Sequence, residues 1–428
     1  SRGLISPVSE VQFLPPPPSP RSSDASASFS EVERVSPVAA AAGLLAFHVG
    51  IAVASLIWTM GAVRRLRALP FLERRPDSSG DAGGVGPLVS VIIPARNEER
   101  NLRACLQGAL AQRGARIQVV VVDDHSEDAT LDIAREMASG YSSILVLRLD
   151  ELPAGWTGKT YALHRGAAAS AGEWLLFIDA DVSIAPEAVA AAVAFATAAS
   201  VDVLSLSPFQ RCEGFWERLL QPLVFDLLNA RYDLRAVNDP ESPAAAANGQ
   251  FIMVRRPAYF EIGGHGAVRN HVVEDVALAL KAKRLGFRIY FANTRSLAET
   301  RMYRDLTGIW EGWSKNLFRL VSSGRSGALG TVAGQLFLWV VPFGTLVGSP
   351  AVSGYNEPLG LLPLISGGVA VACIVGSAAC LLSQIGGAPR YALLLPLGRL
   401  MLVAMIVHSW YLHISGRGVQ WKGRRYRG

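Results

Sequence analysis

The chain has 428 residues, half of them hydrophobic, with a mean hydropathy of +0.28, only 18% charged residues and a formal charge of +6. Such a composition excludes a largely disordered or collagen-like chain and fits poorly with a purely soluble protein. The basic residues sit beside apolar segments, which favours a membrane surface and argues against a nucleic-acid partner. Cys105, Cys212, Cys373 and Cys380 show neither metal-ligand spacing nor a disulfide framework, so reduced and buried thiols are expected.

Residues 1–36, with Pro15 to Pro18 and a Ser-rich run, read as a disordered tail. The chain opens on Ser1 and not on Met, as a fragment or processed form would. Residues 37–61 read as a transmembrane helix: Val38 to Met60 carries no charge and is long enough for a bilayer core of ~30 Å. Arg64, Arg65 and Arg67 follow, and the positive-inside rule places the next domain on the cytosolic or stromal side. A signal peptide would carry its basic flank on the other end. Residues 62–86 read as a linker.

From Leu88 the pattern changes. Strands are expected at Leu88 to Ile93, Gln118 to Val122, Ile144 to Leu149 and Trp174 to Ile178, with helices at Asn97 to Gln112 and Thr160 to Ala171 and another opening at Pro186. Ser126 is the expected cap of the helix after the second strand. This alternation predicts an α/β fold with a doubly wound sheet. No Gly-x-Gly-x-x-Gly follows the first strand, which disfavours a dinucleotide site. The fourth strand runs into Asp179-Ala-Asp181. Side chains alternate along extended backbone, so both carboxylates leave the sheet rim on one side. Two hard oxygen donors so placed suit Mg²⁺ or Mn²⁺ carrying a diphosphate, although a solvated turn would look the same.

Val201 to Ser207 is a further strand. Gly214 to Arg231 is amphipathic and reads either as a packed helix or as one lying in the membrane interface. Asn248-Gly-Gln250 precedes a strand from Phe251, Gly263-Gly264 is a turn, Glu274-Asp275 opens a helix to Leu285, and Phe287 to Ala292 is another strand. The catalytic unit is thus expected at 87–300. Residues 301–326, with Trp310, Trp313 and Phe318 among Arg304, Lys315 and Arg319, read as an interface helix. Residues 327–416 hold three apolar segments, and 417–428 form a basic tail. Three full crossings would put that tail outside, so the last segment is expected to be re-entrant, broken at Pro396 with Arg399 facing protein or water.

Val89 to Glu98, Val121 to Ser126, Asp179-Ala-Asp181 and Glu274-Asp275, in this order, resemble glycosyltransferase family 2 with the GT-A fold, in its membrane-embedded form. Gly155-Trp-Thr-Gly-Lys159, Gly263 to Val268, Gly312 to Asn316 and Trp421 to Arg424 are similar to the enzymes associated with hopanoid and carotenoid glycosylation. The resemblance implies an inverting hexosyltransferase with a nucleotide-sugar donor, a UDP-sugar by its pattern, a divalent cation, and a membrane lipid acceptor. It implies a nucleotide pocket at Pro94, Ala95, Asn97 and Glu98, with Asp124 on the uracil or ribose side, Lys159 near the diphosphate and Asp179 on the nucleotide or ribose. Asp181 would hold the metal and Asp275 would be the base. Gln250, Glu274, Trp310 and Trp313 are acceptor-side candidates. The tryptophan motif of polysaccharide synthases is replaced by Trp310-Glu-Gly-Trp-Ser-Lys-Asn316. A processive synthase or a non-catalytic nucleotide-sugar scaffold are the competing readings.

Overall fold

The computed structural model describes residues 37–74, 86–321, 325–353, 361–384, 387–415, 419–421 and 424–426; the tail expected at 1–36 lies outside them. Helix α1 (Pro37–Arg67) is followed by β1 (Leu88–Ala95), α2 (Leu102–Leu110), β2 (Arg116–Asp123), α3 (Thr130–Gly140), β3 (Ile144–Arg148), α4 (Gly158–Ala168), β4 (Trp174–Ile178), β5 (Val182–Ile184), α5 (Ala188–Ala198), β6 (Val203–Ser207) and β7 (Phe209–Gln210). Then come α6 (Phe215–Arg231), α7 (Leu234–Asn238), β8 (Phe251–Arg255), α8 (Arg256–Ile262), α9 (Glu274–Arg284), β9 (Ile289–Asn293) and β10 (Ala298–Thr300). The C-terminal part is helical: α10 (Leu306–Val321), α11 (Arg325–Trp339), α12 (Val341–Ser353), α13 (Leu362–Gln384) and α14 (Leu395–Ile414), then a hairpin of β11 (Val419–Trp421) and β12 (Arg424–Tyr426).

Seven strands form one sheet in the order β3-β2-β1-β4-β8-β6-β9. The first four run parallel, β8 is antiparallel to β4 and β6, and β9 is parallel to β6. Their apolar runs need cover on both faces. Leu102, Leu106, Val189 and Ala192 from α2 and α5 pack on one face, and Leu163, Tyr259 and Leu278 from α4, α8 and α9 on the other. Register sets the functional rim. Ala95 pairs with Asp123, so β1 and β2 end together. Ile178 pairs with Phe251, so the loop before the antiparallel β8 lies beside the end of β4. A small sheet, β5-β10-β7, closes that edge.

Several local expectations are corrected. Helix α3 starts at Thr130 after Ala129, with no side-chain cap. Ser126 instead accepts the Asn97 N–H at 3.1 Å, because the chain needs further residues to turn after β2. Helix α1 runs on through Arg67, into the expected linker. Leu72 N–H then bonds Asn293 O at 2.9 Å, lashing the chain to β9. All four thiols are free, but only Cys105 is buried and Cys380 is exposed.

Four helical stretches among the described residues are long and apolar enough to cross a membrane: Val38–Arg67, Ser326–Gly348, Leu362–Ser383 and Pro389–Ile414. They point to membrane association. α6 and α10 join them in one apolar cluster that includes Leu219, Leu220, Leu223, Ile309, Trp313 and Leu317. Leu220 is fully buried there, so α6 is a packed helix, and α10 also spends its apolar face on protein. Nor is α14 broken at Pro396. Proline sits in its first turn, where no intrahelical N–H is lost. The C-terminal hairpin returns to lie beside α10. Arg399 is buried: its guanidinium donates to Gln335 on α11 at 2.6 Å and to Asp226 on α6 at 3.1 Å, and lies 4.8 Å from the Trp339 ring.

An uncompensated buried charge costs more than the pair contributes. Arg399→Met should therefore destabilise the detergent-solubilised protein by about 3 kcal/mol, and adding Asp226→Leu should recover most of that loss. Equal unfolding midpoints for the single and double variants, read by tryptophan fluorescence, would dismiss the pair.

Candidate active site

The strand ends of β1, β2 and β4, the loop before β8, the start of α9 and the facing sides of α6 and α10 enclose a cavity of about 610 Å³. Its rim is stitched by short-range bonds. After β1 the backbone turns through Asn97 with φ of 52°, a conformation asparagine tolerates. The Asn97 side-chain oxygen accepts Glu127 N–H at 2.9 Å, and Glu98 N–H donates to Thr130 Oγ1 at 2.7 Å. The loops after β1 and β2 are thereby one unit. Pro94, Ala95, Asn97, Glu98 and Asp124 all line the cavity. Asp124 is 4% exposed and its Oδ1 stands 3.1 Å from His125 Nδ1.

The centre is an ion cluster. Thr157 caps α4, its Oγ1 accepting Thr160 N–H at 3.2 Å. Thr157 N–H and Thr160 Oγ1 both donate to Arg269 O, at 2.9 and 2.7 Å, so this loop is tied to the Gly263–Val268 segment. Gly264 there leaves room for Tyr259: a Cβ would stand 2.5 Å from its ring. Held in this way, α4 presents Lys159, whose Nζ lies 2.8 Å from Asp179 Oδ1 and 3.0 Å from Glu274 Oε1. Burial works against the ammonium, but Asp179 and Glu274, with Asp275 behind them, outweigh it and hold Lys159 protonated well above its ordinary range. Asp275 sits in the first turn of α9. Its Oδ2 accepts Gly249 N–H and its Oδ1 accepts its neighbour Val276 N–H, both at 2.8 Å. Burial and the neighbouring Glu274 carboxylate push Asp275 up to about 6, against the pull of Lys159 and the two amides.

Asp181 lines the same cavity. Its charge and that of Asp179, after burial, push the Tyr303 phenol up, so both carboxylates bear on the space Tyr303 faces. Among the described residues no group of three or more His, Cys, Asp or Glu side chains could hold an ion without help. Two hard carboxylates at a strand end fit an ion that arrives with phosphate oxygens, as Mg²⁺ commonly does.

Of the expected acceptor-side residues, Gln250 is buried, its Oε1 accepting Gln210 Nε2–H at 3.1 Å and Asn248 Nδ2–H at 3.2 Å. Glu274 and Trp313 also line the cavity, with Trp313 Nε1–H held by Gln221 Oε1 at 2.6 Å. Trp310 does not belong with them. It points away from the cavity and donates to His408 Nδ1 on α14 at 3.0 Å. Helical spacing explains this, since positions three apart on α10 differ by a sixth of a turn. Sequence reasoning missed Arg301, whose Nε and Nη2 donate to the buried Glu217 at 3.1 and 2.8 Å. It also missed Phe225, Leu228, Met302 and Tyr303, which give the cavity its apolar wall. The signal for Arg301 was faint: Glu217 three residues after Gly214, on an otherwise apolar helix face.

A family model, glycosyl transferase family 2, matches residues 90–263, which carry Asp124, Asp179 and Asp181 of this rim and end before Glu274 and Asp275. With the relatives below, that match supports a family 2 glycosyltransferase. Its fold is the GT-A α/β fold and it is a glycosyltransferase by class. The 4,4'-diaponeurosporenoate glycosyltransferase of Staphylococcus haemolyticus (strain JCSC1435) is 28% identical over 278 residues, covering 63% of this chain and 71% of that protein. The Staphylococcus aureus (strain MRSA252) enzyme of the same name is 26% identical over 264 residues, covering 60% and 66%. These matches span about two thirds of the relatives' length. Among solved structures, a mannosyltransferase from Pyrobaculum calidifontis in complex with GDP-Man and Mn²⁺ has 18% identity and a TM-score of 0.46, covering 87% of this chain and 98% of that one.

Gly249 is a close-packed point beside the ion cluster. A Cβ there would stand 3.2 Å from both Asp275 Oδ2 and Lys159 Nζ. Gly249→Ala should displace both groups by a few tenths of an ångström and lower glycosyl transfer about tenfold. The melting temperature should move by only a few degrees; unchanged kcat in a folded variant would show that this contact does not set the geometry.

Proposed function

We propose that the chain moves a single sugar, with inversion, from a nucleoside-diphosphate donor to a hydroxyl or carboxylate on an apolar molecule held by the membrane. One observation carries the reading: Asp275, half-buried and pinned by the Gly249 amide, borders a cavity that is polar at the strand ends and apolar toward α6 and α10. The relatives are named for a diaponeurosporenoate, which supports an apolar acceptor here.

In this reading Pro94, Ala95, Asn97, Glu98 and Asp124 hold the nucleotide at the ends of β1 and β2. Lys159, fixed by Asp179 and Glu274, lends positive charge beside the diphosphate. Asp181 would hold a divalent ion, Mg²⁺ or Mn²⁺, with the donor's phosphates, and that ion supplies charge neutralisation for the leaving diphosphate. Asp275 takes the proton of the acceptor oxygen as that oxygen bonds the anomeric carbon. Trp313 and the apolar wall place the acceptor and exclude water. Gln250 and Glu274 steady that side. The basic end of α1 favours a multi-pass protein with the catalytic unit on the cytosolic or stromal side.

Asp275→Asn should lower turnover by about 10²–10⁴-fold while nucleotide binding persists, because the amide keeps the shape but accepts no proton. Residual turnover above a tenth of wild type would remove Asp275 from the role of base. A base must be deprotonated to act, and Asp275 is pushed up to about 6. So kcat/KM should be level above pH 6 and fall about tenfold per unit below it; a profile flat to pH 4.5 would contradict the assignment. Asp181→Ala should weaken nucleotide binding far more with Mn²⁺ present than with chelator. Calorimetry giving the same loss in both conditions would rule out Asp181 as the metal ligand.

A further inference from the structure

We infer that Asn293 is a substrate-recognition residue of this site, and that the acceptor carries, besides the group that receives the sugar, a second oxygen that accepts a hydrogen bond from the Asn293 amide. The inference rests on the transferase reading above. Sheet register makes the case. Ser207 at the end of β6 pairs with Asn293 at the end of β9. Continuing the Ser205–Ile252 and Ile178–Phe251 pairings puts Ser207 and Asp179 on either side of Gln250. Paired residues share a face of the sheet. Asp179, Gln250, Ser207 and Asn293 thus form one row across the rim, and all four line the cavity.

The far end of that row is clamped in place and left without a partner for its side chain. Asn293 N–H donates to Pro70 O at 2.8 Å, and the Asn293 carbonyl accepts Leu72 N–H at 2.9 Å, so the chain leaving α1 holds the strand end from outside. The Glu73 carboxylate accepts Arg295 N–H and Ser296 N–H, both at 3.0 Å, which fixes the turn that follows. Yet Asn293 Nδ2 is buried and has no hydrogen-bond partner among the described residues, and the same holds for Gln250 Nε2. A buried amide left in this way calls for a partner. Water can supply it in the empty cavity. An acceptor that is hydrocarbon throughout would displace that water and strand the amide. A site built around such donors selects the ligand that brings the matching oxygen.

Position decides which substrate Asn293 reads. In the reading above the nucleotide lies at the ends of β1 and β2 and the diphosphate at Asp179 and Asp181. Asp275 is pinned at Gly249, beside Gln250, so the anomeric carbon and the acceptor oxygen meet over β8. Asn293 stands two strands farther on, past β6. At ~4.8 Å per strand, that is roughly 10 Å beyond the reacting atoms, on the side away from the diphosphate. What reaches it there is the acceptor. The amide is uncharged, so a hydroxyl, ether or carbonyl oxygen satisfies it without burying a charge.

The test compares Asn293→Leu and Asn293→Asp with wild type. Leucine keeps the volume and removes both polar atoms; aspartate keeps the shape and removes the donor. The full chain, purified in detergent, would be titrated with a lipid extract of the membranes it comes from, in the presence of radiolabelled UDP-glucose or GDP-mannose. Melting temperature and the calorimetric Kd for the nucleoside diphosphate with Mn²⁺ are read on the same preparations. Both variants should show a fall of about tenfold or more in kcat/KM for lipid, carried by a raised apparent KM, with nucleotide Kd and melting temperature unchanged. Lipid kinetics like those of wild type in either variant would overturn the assignment and leave the transferase reading intact. A joint loss of nucleotide binding and thermal stability would place Asn293 in the fold and overturn it as well. If wild type labels no lipid with either donor, the transferase reading falls, and this inference with it.

Discussion

The ammonium of Lys159 is the constraint on which the site depends. Asp179 ends a strand and Glu274 opens a helix, and without a cation between them their charges, with that of Asp275, would drive the two elements apart. The 2.8 and 3.0 Å contacts turn that repulsion into a clamp joining α4, β4 and α9. Lys159 keeps 35% of its side-chain surface open, so the clamp is wet on the cavity side and its strength is moderated by water. A clamp of that kind can hold position and still exchange partners when an anionic ligand arrives. The capped, cross-tied loop around Thr157 is what lets a flexible lysine serve as a fixed point.

Antiparallel insertion of β8 is the second determinant. A wholly parallel sheet would bring a connecting loop to the rim only after each strand. Running β8 backward brings the segment before a strand to the same place, and the Ile178–Phe251 pairing puts Gly249 where its amide meets Asp275. Main-chain donors are rigid and carry no rotamer freedom, which suits the positioning of a proton acceptor.

Much of this was legible in the sequence. Trp174 to Ile178 is found as the alternating pattern predicts, with every residue buried. Eleven of the site candidates read from motifs and resemblance, together with Asp275, line one cavity. What failed depended on partners distant in sequence. Trp310 and Trp313 are equivalent by composition, and only the neighbours His408 and Gln221 separate them. Ser126 looked like a cap because its use by Asn97 lies in another loop. Pro396 looked like a break because the 3₁₀ turn at Pro389–Leu394 ahead of it leaves no periodic trace. Packing of α6 could not be told from interface burial, since lipid and leucine present the same surface to a hydropathy pattern.

The buried Arg399 also bears on how the chain is made. An isolated arginine at the centre of an apolar helix costs roughly 2.5–3.5 kcal/mol on insertion, and Arg399, nearer the start of α14, carries a share of that cost until it is paired. Its countercharge, Asp226, lies 173 residues earlier, on a helix of the catalytic unit that leaves the ribosome long before. Docking of the last helix is thus coupled to a folded α6 that presents Asp226. Biogenesis acquires a built-in order: a chain whose catalytic unit has misfolded offers α14 no counterion, and its final segment is left exposed to quality control.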